Sequence, residues 1–233
     1  MLNTRFAIGA VLLAAAVGAS ALVADYTFAH TPKVGAVAKY KMQGVFDFEG
    51  QEITFMASTT NKIVKVNDDG SYVIEENQTD AKVVFGGQEM DAPTGGPTTS
   101  KISADGRILD IQGDMVDSSA YRTAMMSSFF KPAKGVKMGE SWTVDIKGDD
   151  KLGSVDAKAT YTIEAEETVG AWKCVRVKYD VKETKGQIPA GSNGLVWISL
   201  EDGEMVKVQG VWKDVPVPGA PAPINGKMTV TRQ

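Results

Sequence analysis

Apolar and polar residues alternate along most of the chain. Residues 155–165 show the pattern most clearly, since six apolar or small side chains occupy every second position: Val155, Ala157, Ala159, Tyr161, Ile163 and Ala165. Successive side chains of a strand point to opposite faces, so this segment is predicted to be a strand with one face in a core and the other in water. Residues 38–48 and 175–182 alternate in the same way. The chain is therefore predicted to be mainly β.

Turn sequences separate these strands. Asn67-Asp68-Asp69-Gly70, Asp105-Gly106 and Asp202-Gly203 predict hairpin turns, because glycine tolerates positive φ. A change of phase before Val64 predicts a bulge in the second strand. The oxygens of Asn67-Asp68-Asp69-Gly70 could also suit calcium. We interpret this segment as a plain turn, because it lacks the alternating ligands and terminal glutamate of a helix-loop-helix calcium site.

One segment, residues 115–131, has a helical pattern instead. Asp117 can cap its start, and Pro132 is predicted to end it. Its apolar residues are spaced at i, i+4 and i+8: Tyr121, Met125 and Phe129. One short helix is thus predicted near the middle of the chain.

Similar landmarks occur in the same order on both sides of this helix. Lys33-Val34-Gly35 followed by Tyr40 resembles Lys137-Met138-Gly139 followed by Trp142. Each half also has an Asp-Gly turn, followed by a strand that ends in Gln-Gly. These matches predict one β domain over residues 34–233, built of two repeats at about 34–113 and 138–233. Each repeat must cover its apolar face, so we expect a curled sheet, an open barrel or a sandwich.

The first residues predict a targeting segment. Arg5 is followed by an apolar run, residues 6–17, and then by the small-x-small sequence Ala19-Ser20-Ala21. We therefore expect residues 1–24 to be a cleaved signal peptide and residues 25–33 a linker. Cleavage would give a periplasmic or secreted bacterial protein without stable membrane insertion. The alternative is an uncleaved anchor, since residues 6–24 are uncharged and just long enough to cross a membrane.

Charge and cysteine content narrow the class of protein. The chain has 25 basic and 29 acidic residues with the two signs interspersed, so no nucleic-acid partner is expected. The single cysteine, Cys174, cannot form an intrachain disulfide. We interpret it as a small apolar filler beside Trp172.

Few residues have catalytic potential. The one histidine, His30, lies in the predicted linker, where chains are usually mobile. No G-x-S-x-G, HExxH, CxxC or phosphate-binding glycine motif occurs. Glu164, Glu166 and Glu167 could supply paired carboxylates, but Glu164 and Glu166 share the polar face of a strand, which a solvated edge explains. We expect no catalytic residues, no metal ligands and no cofactor, and hence no enzyme.

The helical segment provides the one ligand-binding hypothesis. Its end carries four flexible or aromatic apolar side chains: Met125, Met126, Phe129 and Phe130. Methionine adapts to irregular apolar shapes, so these residues could hold an apolar ligand between helix and sheet. Alternatively, they fill the open side of the sheet as ordinary core, because protein interiors are closely packed.

Gly35 with Tyr40, Gly139 with Trp142, the Asp-Gly hairpins and a final Gly-x-Met-x-Val strand together resemble a family of exported bacterial β proteins of unknown function. This resemblance implies no activity and no catalytic residues. More distantly, a curled sheet with a helical plug is similar to periplasmic lipoprotein carriers, which shield acyl chains. We therefore expect an exported, non-catalytic protein that binds an apolar small molecule or lipid. The alternative is a structural or protein-interaction module of the cell envelope without a ligand.

Overall fold

The computed structural model of the chain describes residues 25–48, 50–114 and 116–233. The predicted signal peptide, residues 1–24, lies outside this described part. Six described strands precede the helix: β1 (Val37–Phe48), β2 (Gln51–Val66), β3 (Tyr72–Phe85), β4 (Gln88–Asp91), β5 (Thr98–Ile102) and β6 (Ile108–Gln112). The helix α1 spans Ala120–Met125. Six strands and one 3-10 turn, Asp150–Leu152, follow it: β7 (Ser141–Ile146), β8 (Ala157–Val169), β9 (Trp172–Glu183), β10 (Gly191–Ser199), β11 (Met205–Val215) and β12 (Ile224–Arg232).

The twelve described strands belong to one antiparallel sheet. Their order is β6-β5-β3-β2-β1-β12-β11-β10-β9-β8-β7, and β4 pairs with β3 outside this path. The first and last strands therefore meet in the middle of the sheet, where Tyr40 pairs with Arg232. The sheet does not close into a barrel. It curls so far that Arg107, beside the edge strand β6, donates a hydrogen bond of 3.5 Å to the backbone oxygen of Asp145 on the other edge strand, β7.

This architecture confirms the predicted fold class, a mainly β chain with a curled sheet and one short helix. The predicted turn at residues 67–70 joins β2 to β3, and the Gly70 N–H donates to the Asn67 oxygen at 3.0 Å. The predicted bulge is also present, because the register of β2 against β3 shifts between Ile63 and Lys65. Turns and alternation are local signals, which explains why the sequence predicts them well.

The same turn precedes the first strand of each predicted repeat. The Gly35 N–H donates to the Ile63 oxygen at 2.8 Å, and the Gly139 N–H donates to the Ile163 oxygen at 3.0 Å. The φ angles of these glycines are 86° and 81°, which side chains disfavour. Strands β1, β2, β3, β5 and β6 then follow one another across the sheet in the same way as β7 to β11. We infer that the two units are related, and we call residues 34–113 the N-terminal unit and residues 138–233 the C-terminal unit.

The hydrophobic core is concentrated in the C-terminal unit. Most of the completely buried large side chains come from its strands: Tyr161, Ile163, Val175, Val177, Val181, Ile198, Val206, Val208 and Val215. Met125 and Met126 of the helical segment are buried in the same region. Burial of one such aliphatic side chain contributes roughly 1.5–3 kcal/mol. This unit therefore supplies most of the hydrophobic stabilisation.

The helix is shorter than the predicted segment, residues 115–131, and ends well before Pro132. The reason lies in the sheet, because the Tyr161 hydroxyl accepts a hydrogen bond from the Phe130 N–H at 3.3 Å and donates one to the Ser128 oxygen at 2.9 Å. These bonds take the place of helical hydrogen bonds, so the chain leaves the helix. In the described part of the chain, no helix has the length and apolarity to cross a membrane.

The predicted linker, residues 25–33, is packed against the sheet. Tyr26 forms a β-bridge to the chain that follows the helix, and Phe28 is buried in the hydrophobic core. The His30 imidazole is only 6% exposed, and its Nδ1 lies 3.2 Å from the Asp202 backbone oxygen. The prediction of a mobile His30 is therefore wrong. Burial of the Phe28 ring and partial burial of the Tyr26 ring outweigh the conformational entropy that a free linker would retain.

Candidate functional site

A cavity of about 440 Å³ lies between the N-terminal unit and strands β10 to β12 of the C-terminal unit, beneath α1 and the residues that follow it. A second cavity of about 450 Å³ adjoins it. The two share five lining residues: His30, Tyr40, Asn61, Ile74 and Glu204. Small-molecule sites in proteins usually have volumes of roughly 300–1,000 Å³. The first cavity, which we call the N-terminal cavity, therefore has the size of a ligand site.

A comparison of the two units explains this cavity. Ile63 and Ile163 are equivalent residues of the two units, because each accepts the hydrogen bond of a turn glycine. The residue two positions before each of them, and its two cross-strand partners, define three matched positions. In the C-terminal unit these positions hold Trp142, Tyr161 and Tyr179. In the N-terminal unit they hold Ala38, Asn61 and Glu76. Smaller side chains thus replace three aromatic rings. The sequence match of Tyr40 with Trp142 is wrong by two residues.

Four polar side chains from neighbouring strands line one side of the cavity. They are Thr59 and Asn61 on β2, Glu76 on β3 and Ser100 on β5, and we call them the polar wall. Asn61 and Glu76 pair directly across β2 and β3, which places their Cβ atoms about 5 Å apart. The other walls are mostly apolar: Met42, Ile102, Ile108, Met205, Val208, Met228 and Val230. The cavity is therefore amphipathic.

Four buried side-chain atoms in the described part of the chain have no hydrogen-bond partner within the protein: Thr59 Oγ1, Asn61 Oδ1, His30 Nε2 and Trp212 Nε1. All four residues line the N-terminal cavity. Thr59 is only 5% exposed and Trp212 only 7%. Buried polar atoms in proteins are nearly always hydrogen-bonded. The walls of the N-terminal cavity therefore contain buried polar atoms without a partner.

The charged groups of the cavity differ in their surroundings. Lys131 Nζ donates to the Ala104 oxygen at 3.0 Å, and burial lowers the pKa of this ammonium group. Glu204 Oε1 lies 3.4 Å from His30 Nδ1. Glu76 is an exposed residue that lines the cavity, although the surrounding protein desolvates its carboxyl group enough to raise its pKa. Among the described residues, Glu76 has neither a hydrogen-bond partner nor an ion-pair partner.

The roof of the cavity is formed by α1 and the residues after it: Thr123, Ala124, Ser127, Ser128 and Phe129. Arg122 fastens the helix to the C-terminal unit, since its Nε and Nη2 donate to the two carboxylate oxygens of Glu183 at 2.7 and 2.6 Å. The Glu183 side chain is completely buried and also accepts a hydrogen bond from the Ala190 N–H at 2.7 Å. Together with the Tyr161 hydroxyl, this pair holds the roof in place.

The four residues predicted to bind a ligand occupy two different places. Phe129 lines the N-terminal cavity. Met125, Met126 and Phe130 are 5%, 0% and 3% exposed, and they pack in the hydrophobic core. These three side chains fill the space beneath the helix, which is the alternative that the sequence leaves open.

The sequence does not single out the polar wall. Thr59 and Asn61 occupy the same phase of β2 as Ala57 and Ile63, both of which are buried. Polar side chains in the apolar phase of a strand are the signal that could have found them, because burying a polar group is costly unless it has a partner.

The other candidate carboxylates have protein partners. Arg176 lies 3.2 Å from Glu164 and 3.4 Å from Glu167, and the Tyr26 hydroxyl donates to Glu166. A salt-bridged polar surface accounts for this arrangement. In residues 25–48, 50–114 and 116–233, no group of three or more His, Cys, Asp and Glu side chains could hold a metal ion.

Cys174 is completely buried in a small separate cluster with Trp197 and Val206. Burial raises the pKa of its thiol, and the thiolate is the reactive form. We therefore expect almost no reaction of the folded protein with Ellman's reagent, and one reactive thiol per chain in guanidinium chloride. Rapid labelling of the folded protein would contradict this placement.

Comparisons with known proteins add little. No protein-family model matches the chain, and no curated protein matches it. One solved structure shows a weak similarity: DynF from the dynemicin biosynthesis pathway of Micromonospora chersina, 10% identical, with a TM-score of 0.22 over 96% of this chain and 92% of that chain. Similarity at this level supports no conclusion about fold or function.

Proposed function

We propose that this chain is a binding protein that holds an amphipathic small molecule in the N-terminal cavity. The apolar part of the molecule packs against β11 and β12, and its polar part meets the polar wall. The main support is that the four unpartnered buried polar atoms, from Thr59, Asn61, His30 and Trp212, belong to residues that line one cavity of ligand size. Apolar pockets with a few polar groups are typical of small-molecule sites.

Binding without catalysis is the function that the side chains favour. Covalent catalysis needs a nucleophile hydrogen-bonded to a base. In the described part of the chain, the hydrogen bond of the His30 imidazole goes to the Asp202 backbone oxygen and to no hydroxyl or thiol. Export of the protein and contact with an envelope protein remain predictions from the sequence.

A neutral fluorescent probe, 1-N-phenylnaphthylamine, tests the proposal. We expect saturable binding with enhanced fluorescence. Asn61→Tyr places a ring where the C-terminal unit has Tyr161, so it fills the cavity and weakens probe binding by about tenfold or more, a change of about 1.4 kcal/mol. Asn61→Ala keeps the apolar space and should weaken probe binding far less than Asn61→Tyr does.

Lys62→Tyr is the matched control, because this exposed neighbour lies on the opposite face of β2. It should leave probe binding unchanged, and circular dichroism should show that all variants are folded. Equal probe binding by the Asn61→Tyr variant and the parent protein would rule out this cavity as the site. Absence of saturable binding to the parent protein would count against the proposed function itself.

A further inference from the structure

We propose that the N-terminal cavity selects a cationic amphiphile, a molecule with an apolar body and an ammonium group that pairs with Glu76. This inference rests on the proposed function and specifies the polar end of its ligand. It starts from the polar wall, where the Glu76 carboxyl group faces the cavity without a protein partner among the described residues.

The groups around Glu76 are rich in hydrogen-bond acceptors. Asn61 is its direct cross-strand neighbour, and Oδ1 of this side chain has no partner within the protein. Thr59 lies on the same strand as Asn61 and is only 5% exposed, and its Oγ1 also has no partner within the protein. A carboxylate and an amide oxygen both require donors. An ammonium group can donate up to three hydrogen bonds and also supplies the opposite charge.

No cation of the protein competes for Glu76 in the described part of the chain. The Lys131 ammonium group, which also lines the cavity, donates to Ala104 and responds electrostatically to Glu204 and Asp105. Desolvation by the surrounding protein raises the pKa of the Glu76 carboxyl group. Elsewhere the chain pairs its buried carboxylate, Glu183, with an arginine.

Apart from His30, the charged residues that line the cavity are two glutamates and one lysine: Glu76, Glu204 and Lys131. Their net charge is therefore negative. A carboxylate that lines a cavity is stabilised by an opposite charge that also forms hydrogen bonds with it. A cationic ligand therefore complements this cavity better than an anionic one, while the apolar walls accept its hydrocarbon part.

Three ligands with the same alkyl chain test the inference: decylamine, decanol and decanoate, each used to displace 1-N-phenylnaphthylamine at neutral pH. We expect decylamine to bind about tenfold or more tightly than decanol, because hydrogen bonds to charged groups are stronger than neutral ones. Decanoate should bind most weakly. Glu76→Gln should reduce the advantage of decylamine over decanol to about twofold or less, with the loss falling mainly on decylamine.

Glu75→Gln is the matched control, since it removes the same charge from the neighbouring residue, which points to the other face of β3. It should retain the preference for decylamine. The cation preference is overturned if decanol or decanoate binds as well as decylamine, if none of the three displaces the probe, or if both glutamine variants lose the preference equally. In each of these cases the probe still binds, so failure of the inference is distinguishable from failure of the proposed function.

Discussion

Replacing Glu183 by alanine is expected to lower the free energy of unfolding by about 3–5 kcal/mol, because it leaves Arg122 without its buried partner. Glu183 accepts two hydrogen bonds from this guanidinium group and one from the Ala190 N–H. The guanidinium also donates to the Ile188 oxygen at 2.9 Å, so it cannot turn to solvent without breaking a second contact. The change should be visible in urea unfolding followed by circular dichroism.

Asp180→Ala provides the control on the same strand. Asp180 forms an exposed pair with Lys182, and its loss should change the free energy of unfolding by less than about 0.5 kcal/mol. The combined replacement of Arg122 by Met and Glu183 by Leu should recover much of the lost stability, since neither charge then remains buried. A loss below about 1 kcal/mol for Glu183→Ala would show that the pair does not anchor the helix.

Tyr161→Ala is expected to lower the free energy of unfolding by a similar amount, about 3–5 kcal/mol, because it leaves a large cavity in the core. The Tyr161 ring is completely buried and stacks on Trp142 with a centroid distance of 5.1 Å. Tyr161→Phe keeps the ring and removes only the hydroxyl that bonds Ser128 and Phe130. Its expected cost is about 1–3 kcal/mol, from backbone groups left without a partner.

The two Tyr161 variants separate packing from hydrogen bonding. If Tyr161→Phe costs as much as Tyr161→Ala, the hydroxyl dominates and the ring packing described here is wrong. The Phe130 N–H donates to this hydroxyl, so Tyr161→Phe should also increase amide hydrogen exchange at Phe130. Unchanged exchange at Phe130 would contradict the role of the hydroxyl in fixing the roof.

The strands and turns could be predicted because their signals are local. Alternation around Tyr161 and the glycine at position 70 determine backbone conformation without reference to distant residues. The length of the helix could not be predicted, since the Tyr161 hydroxyl, which draws Ser128 and Phe130 out of it, comes from a strand about thirty residues away. Likewise, residues 25–33 have no local pattern from which the burial of Phe28 in the hydrophobic core could be predicted.

The sequence predicts the lining of the cavity only in part. The apolar pattern of the helical segment indicates Phe129, which lines the cavity. It does not indicate Thr59 and Asn61, because polar residues in a strand normally mark its solvent face. Glu76 lies beside Asn61 because of the register between β2 and β3. A single sequence does not specify which residues pair across two strands, so this neighbour could not be predicted.

The most direct test of the proposed binding site uses the indole N–H signals of the four tryptophans in a ¹⁵N–¹H correlation spectrum. Trp212 lines the N-terminal cavity, and its Nε1 has no partner within the protein. The other three tryptophans do not line the cavity. Trp142 donates to the Phe130 oxygen and Trp197 donates to Glu167, whereas Trp172 contacts the Arg232 guanidinium. On addition of 1-N-phenylnaphthylamine we expect the Trp212 signal, assigned with a Trp212→Phe variant, to shift most. An unchanged Trp212 signal, with shifts at Trp172 or Trp197 instead, would place the binding site elsewhere and contradict the account.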